Sequence, residues 1–201
     1  WTADASKGRA FEIQDLYRVE TPGSIDLSAD GEWMVYTVRR TDLTAGKSSS
    51  QIYMSRRDGS ESRALTASGK NDTGPQFTPD GRSILFTSTR SGSSQLWTMP
   101  VDGGEPRQLT NFGPGVSDPV QSADGRYLAV TTSLFPECGI DEACNAKNAK
   151  GVDNGKLKVH VADDLLYRHW TSWGDGRAAH IVLVDARSGQ VLRDLTPGKW
   201  E

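Results

Sequence analysis

Three turn signals recur along the chain: Ala29-Asp30-Gly31-Glu32, Pro79-Asp80-Gly81-Arg82 and Ala123-Asp124-Gly125-Arg126. Each opens an apolar run that reads as a strand: Trp33–Val38, Ile84–Ser88 and Tyr127–Thr132. A second signal closes each unit, at Ala64-Leu65-Thr66, Gln108-Leu109-Thr110 and Asp194-Leu195-Thr196. The turns lie 50 and 44 residues apart, and the first two closing pairs lie 44 apart. The last closing interval is 86 residues, so the third unit carries an insertion of about 40 residues. One Asp-Gly pair carries little information. Three in phase with three Leu-Thr pairs define a repeat.

The middle unit shows what each repeat builds. Gly74–Thr78 reads as a first strand, Pro79–Arg82 as its turn, Ser83–Thr89 as the second strand and Gln95–Val101 as the third. Asp102–Glu105 then turns into a last strand, Pro106–Thr110. Proline presets φ for a turn and glycine supplies the positive φ of a tight reversal. Four short antiparallel strands in roughly 40–45 residues describe one blade of a β-propeller. The expected fold is therefore all-β, a partial β-propeller of about three four-stranded antiparallel blades. Residues 1–20 form a lead-in with a helical turn near Phe11–Tyr17. Residues 21–68 form the first blade, 69–112 the second, and 113–198 the third with an insert at 134–173. In the first blade a hydrophilic stretch, Arg39–Ser50, lengthens the hairpin between the second and third strands.

Three blades do not close a ring that usually needs roughly four to eight, and closure is what shields strand edges. The expectation is the amino-terminal part of a larger propeller, with the remaining blades supplied by further chain or by a partner. Residue 1 is Trp rather than Met, which reads as a processed or cut chain.

Composition narrows the function classes. Apolar residues make up 35% of the 201, and the 21 glycines raise that to about 45%, enough for a core. The 23 basic and 26 acidic residues give a net charge of −3, without a basic block, which excludes an electrostatic nucleic-acid binder as the default. The longest aliphatic run, Ile181–Val184, is far short of the ~20 residues of a membrane span. The two cysteines, Cys138 and Cys144, share a polar loop. Pairing them would close a small ring and stabilise the fold by roughly 2.4 kcal/mol in the chain-entropy picture. Two free thiols are the alternative. A disulfide would favour an oxidising compartment, and the expected location is periplasmic or secreted. Two cysteines with His160, His169 and His180 give no metal-ligand spacing, so neither a metal nor a cofactor is expected.

With these residues in view, the chain resembles the amino-terminal propeller of the prolyl oligopeptidase family of serine peptidases, in its bacterial dipeptidyl aminopeptidase and acylaminoacyl peptidase branch. The blade pattern Phe77-Thr78-Pro79-Asp80-Gly81-Arg82 … Leu96-Trp97 … Asp102-Gly103-Gly104 … Leu109-Thr110 is shared with TolB-like propellers. The lead-in Phe11–Leu16 running into Ile25–Gly31, and Leu165-Leu166-Tyr167-Arg168-His169-Trp170 before His180-Ile181, are similar to the peptidase branch. The resemblance implies a propeller that admits short peptides to a carboxy-terminal α/β-hydrolase domain carrying a Ser–Asp–His triad. That domain and the rest of the propeller would be this chain's partners, and a higher oligomer is compatible with the reading. The second reading is a non-enzymatic TolB-like propeller acting as a protein-interaction module.

The catalytic machinery does not carry over. The strained Gly-x-Ser-x-Gly elbow is absent, so no catalytic residue is assigned. Some relatives grip the substrate amine with paired glutamates, and this chain has no Glu-Glu pair. Asp163-Asp164 is the nearest carboxylate pair and the candidate contact for a substrate ammonium. The bland reading makes it an N-cap to a short helix over Leu165–Trp170. His169 reads as structural for want of a nucleophile. Trp170 and Trp173 read as anchors of the insert that share a helical face. Arg39-Arg40 and Arg56-Arg57 read as solvated charge pairs at hairpin ends.

Overall fold

An aspartate placed two residues after a serine or threonine folds its carboxylate back onto the turn it belongs to, and this chemistry starts all three sheets. The computed structural model describes residues 8–67, 70–153, 168–169 and 172–199. In it the hydroxyls of Ser28, Thr78 and Ser122 donate to Oδ1 of Asp30, Asp80 and Asp124 at 2.5, 2.6 and 2.7 Å. The same oxygens accept the backbone N–H of Glu32, Arg82 and Arg126 at 3.0, 3.1 and 3.0 Å. Each hydroxyl in turn accepts the N–H of the residue that opens the next strand, Trp33, Ser83 or Tyr127. Gly31, Gly81 and Gly125 take φ of 71°, 67° and 68°, where a side chain is strained.

After a short helix α1 (Asp15–Arg18), the first sheet runs β1 (Thr21–Leu27), β2 (Trp33–Asp42), β3 (Lys47–Arg56) and β4 (Arg63–Ala64) in spatial order. The second runs β5 (Asp72–Phe77), β6 (Ser83–Ser88), β7 (Gln95–Pro100) and β8 (Arg107–Gln108). The third begins with β9 (Ser117–Gln121) and β10 (Tyr127–Leu134). Helix α2 (Glu142–Asp153) and a two-stranded ribbon of β11 (Arg168–His169) and β12 (Ser172–Trp173) follow in sequence. The third sheet is then completed by β13 (Ala178–Asp185) and β14 (Val191–Asp194), in the order β14-β13-β10-β9. Three four-stranded meanders are three propeller blades. The chain divides into two compact units, Trp1–Pro75 and Gln76–Glu201, with the division inside β5.

The fourth strand of the first two blades is only two residues long, and the Leu-Thr pair completes it. Leu65, Leu109 and Leu195 donate their N–H to the carbonyls of Ile52, Leu96 and Ile181, each at 2.8 Å. The hydroxyls of Thr66, Thr110 and Thr196 accept the N–H of those same residues at 3.1, 2.9 and 2.9 Å. A threonine side chain thus replaces a ladder bond the short strand does not provide. In the second unit the core is apolar and continuous: Leu85, Leu96, Leu109 and Phe112 meet Leu128, Val130, Val182 and Val184. Each such side chain stabilises the fold by roughly 1.5–3 kcal/mol when fully buried.

The structure sharpens three local readings. The hydrophilic Arg39–Ser50 stretch lengthens the β2–β3 hairpin as expected, the two strands staying paired to Asp42↔Lys47. Threonine, serine and arginine there form a solvated two-stranded ribbon, since pairing needs backbone groups and not apolar side chains. Arg39 and Arg57 are exposed, as expected of solvated charges, whereas Arg40 and Arg56 are half-buried. Arg40 bonds Glu20 and Gln51 and lies over the Tyr53 ring, and Arg56 bonds Glu61 and lies over Trp33. Arg168–His169 is strand rather than helix, paired as Arg168↔Trp173 and His169↔Ser172, so Trp173 shares no helical face.

These interactions set three expectations. Thr110 is fully buried and bonds both Leu96 N–H and Gln95 Oε1. Thr110→Val therefore lowers stability by about 1–3 kcal/mol in urea denaturation, because a buried donor is left unmade. Gly189 has φ of +74°, and a Cβ there would sit 1.7 Å from the Leu109 carbonyl oxygen. Gly81→Ala, at positive φ in open space, should cost about 1–2 kcal/mol; Gly189→Ala should cost clearly more, read by the same titration. The turn carboxylates add a pH dependence. The Ser122 hydroxyl and then the Arg126 N–H hold Asp124 down to about 2, from 3.8, and Asp30 and Asp80 are lowered in the same way. A carboxyl depressed by folding gives stability that is present above its unfolded value and lost as pH falls through the folded one. The melting temperature should fall between pH of about 4 and about 2, and Asp124→Asn should flatten that slope.

Candidate functional site

The first strands of the second and third blades are tied together by side-chain amides. Gln76 Nε2 donates to the Pro119 carbonyl at 2.8 Å, and Gln121 Nε2 donates to the Phe77 carbonyl at 2.9 Å and to Gln76 Oε1 at 3.2 Å. This convergence makes β9 and the end of β5 the inner edge, the side on which a propeller places its channel.

Each first strand carries one residue in the left-handed region: Ser24 at φ 44°, Gly74 at φ 57° and Asp118 at φ 49°. Each stands six residues before the aspartate of its turn. The register of β1 with β2 shifts between Gly23 and Asp26, and that of β9 with β10 shifts beside Asp118, so these are bulges. Sequence reading missed them, although their intervals repeat those of the turns. The Asp118 carboxylate is held by two hydroxyls: Thr131 Oγ1 donates to Oδ2 at 2.7 Å and Ser117 Oγ at 2.8 Å. Those donors, Thr131 first, keep the carboxyl below its ordinary range, and it is ionised at neutral pH. Asp118 is exposed, so the inner edge presents a fixed negative charge able to pair with a cation.

On the turn side of the same two blades lies a cleft of about 500 Å³, lined by Thr78, Asp80, Arg107, Gln121, Asp124 and Arg187 among others. Asp80 and Asp124 already serve their turns there. The cleft is a polar recess without a nucleophile–base pair.

The insert is anchored at its start. Cys138 and Cys144 form a disulfide with Cα atoms 5.5 Å apart. Asp141 Oδ1 accepts the Cys144 N–H at 3.0 Å and caps α2. Buried Asn145 accepts the Phe135 N–H and donates to the Gly139 and Asp141 carbonyls. Glu142 accepts the Gly113 N–H at 2.8 Å, which ties the helix to the link between the second and third blades. Asp163 and Asp164 lie outside the described residues, as do His160 and Trp170.

His180 takes the position that Gln51 and Gln95 hold in the other blades, one residue before the Thr-bonded strand residue. It is buried, its Nδ1 stands 2.8 Å from Asp194 Oδ2, and its Nε2 has no hydrogen-bond partner. A histidine oriented by an aspartate resembles part of a hydrolytic triad, but no serine, threonine or cysteine among the described residues hydrogen-bonds it. Its partners make it structural. Among the described residues no three His, Cys, Asp or Glu side chains gather to hold a metal.

The chain is similar to known proteins of two kinds. It is 28% identical over 200 residues to dipeptidyl-peptidase 5 of Porphyromonas endodontalis, which covers 98% of this chain and 28% of that protein. It is 61% identical over 44 residues to the Tol-Pal system protein TolB of Bordetella pertussis, covering 21% of this chain and 10% of the other. Its fold matches the Pyrococcus horikoshii acylaminoacyl peptidase with a TM-score of 0.66 at 13% identity, over 92% of this chain and 26% of that one. The chain thus spans less than a third of these proteins. A family model described as the TolB beta propeller domain matches residues 19–155. With that match over more than half its length and three blades built on one repeat, the chain belongs to the TolB β-propeller domain family.

Proposed function

We propose that the chain is the substrate-admitting propeller portion of a serine peptidase that acts on short peptides, with its catalytic α/β-hydrolase domain outside these residues. The observation that carries this reading is the match to dipeptidyl-peptidase 5, which runs through the insert as well as the blades. A propeller performs no bond cleavage here. It restricts what reaches the catalytic domain, and its inner edge offers charge and backbone groups to a peptide in transit. Asp118 is the ionised group placed to meet a substrate cation. The disulfide supports a periplasmic or secreted location, and no described helix is long and apolar enough to cross a membrane.

The short, strong match to TolB favours a second reading, a non-catalytic propeller that binds a protein partner. The two separate on chemistry. The complete gene product should be labelled by a fluorophosphonate serine probe and should release dipeptides or acylated residues from fluorogenic peptides, while the 201-residue chain does neither. A complete gene product that takes no label and cleaves none of these peptides overturns the peptidase reading.

A further inference from the structure

The cleft at the seam of the second and third blades lies wholly within the second compact unit, and its charges are unevenly used. Its two acids are committed to their own turns. Asp80 accepts the Thr78 hydroxyl and the Arg82 N–H. Asp124 accepts the Ser122 hydroxyl and the Arg126 N–H, and it pairs with the Arg126 guanidinium. Arg107 and Arg187 also line the cleft, and among the described residues neither guanidinium donates a hydrogen bond or joins an ion pair. Asp185, the acid nearest Arg187 in sequence, is occupied by the N–H groups of Arg187 and Ser188 and by the Ser188 hydroxyl. The uncommitted charge in the cleft is therefore cationic.

The fold holds these two arginines on either side of one contact. Gly189 lies so close against the Leu109 carbonyl that no Cβ is accommodated. This brings the turn that carries Arg187 against the strand end that carries Arg107. The Ala186 N–H, donated to the Arg126 carbonyl at 3.0 Å, fixes the same turn from its other side. Across the second blade, Leu85, Thr98 and Arg107 form one cross-strand row, and all three line the cleft. The row runs from a buried leucine through a hydroxyl to a cation. Buried Leu109 and Leu128 line the cleft beside it. The hydroxyls of Ser83 and Thr98 make no hydrogen bond among the described residues.

We infer that this cleft binds the carboxylate end of a peptide whose last side chain is apolar. The carboxylate meets Arg107 and Arg187, because guanidinium groups match a carboxylate in charge and geometry. The last side chain lies toward Leu85, Leu109 and Leu128, and the Ser83 and Thr98 hydroxyls are there for the peptide group between. At about 500 Å³ the cleft falls within the range of small-ligand sites. The site belongs to the two blades and rests on neither functional reading above, so labelling by a serine probe does not decide it.

The test is a saturation-transfer NMR titration of the complete gene product with N-acetyl-leucine. The protein is first treated with the fluorophosphonate, so that a reactive serine contributes no binding. N-acetyl-leucinamide, which lacks the carboxylate, should bind at least about tenfold more weakly. Arg107→Gln and Arg187→Gln should each weaken N-acetyl-leucine by a similar factor. Both arginines are exposed, so the melting temperature should not change and a loss of binding is not a loss of fold. Equal binding of acid and amide would overturn the inference, as would affinity unchanged in both variants. Inorganic phosphate binding as tightly as N-acetyl-leucine would overturn it too, since the leucines would then play no part. So would no binding of N-acetyl-leucine up to about 10 mM.

Discussion

The hydrogen bond from a strand N–H to a threonine hydroxyl, buried in the first two blades and exposed in the third, holds each blade's outer edge in place. The fourth strands of the first two blades span two residues each, too few for a ladder of their own. Without the hydroxyls of Thr66, Thr110 and Thr196, the N–H groups of Ile52, Leu96 and Ile181 would lose their acceptor. An unmade buried donor costs about 1–3 kcal/mol, a large fraction of a marginal folding free energy. In the second blade the leucine before that threonine, Leu109, is part of the core shared with the third.

The inner edge follows different physics. Bulged residues in the left-handed region re-aim the first strands, and in the third blade the strained residue is an aspartate with two hydroxyl donors. Glycine serves in the second blade at no steric cost, whereas Ser24 and Asp118 bear it. Outer-edge positions repeat closely in residue type, as Leu-Thr does. Inner-edge positions repeat in backbone shape while their side chains differ. That division suits a scaffold whose closing strands share one device while its first strands differ from blade to blade.

Much of the fold was legible because turn chemistry is local. Asp-Gly after a serine or threonine names its own hydrogen bonds, and Leu-Thr at a constant distance marks the closing strand. Helix α2 was not legible. Its Ala, Lys and Asn residues form no apolar stripe, and its start is marked by Asp141 acting as a cap inside a cysteine loop. The ribbon of β11 and β12 was mistaken for a helix because Leu165–Trp170 follows two aspartates that suit an N-cap. Asp118 was passed over because nothing in Ser-Asp-Pro marks a residue in the left-handed region, which only the backbone shows.

The sequence by itself determined the blade count, the turn positions and the closing threonines, because each depends on bonds made within a few residues or across one hairpin. Only the tertiary structure decided which sheet face is covered, since Leu96 and Ile181 are alike in type and bonding yet differ in whether a blade lies against them. It also decided the inner edge, which appears when Gln76 and Gln121 reach across to the neighbouring strand. Burial belongs to what packs on a residue, and the residue's own identity does not contain it.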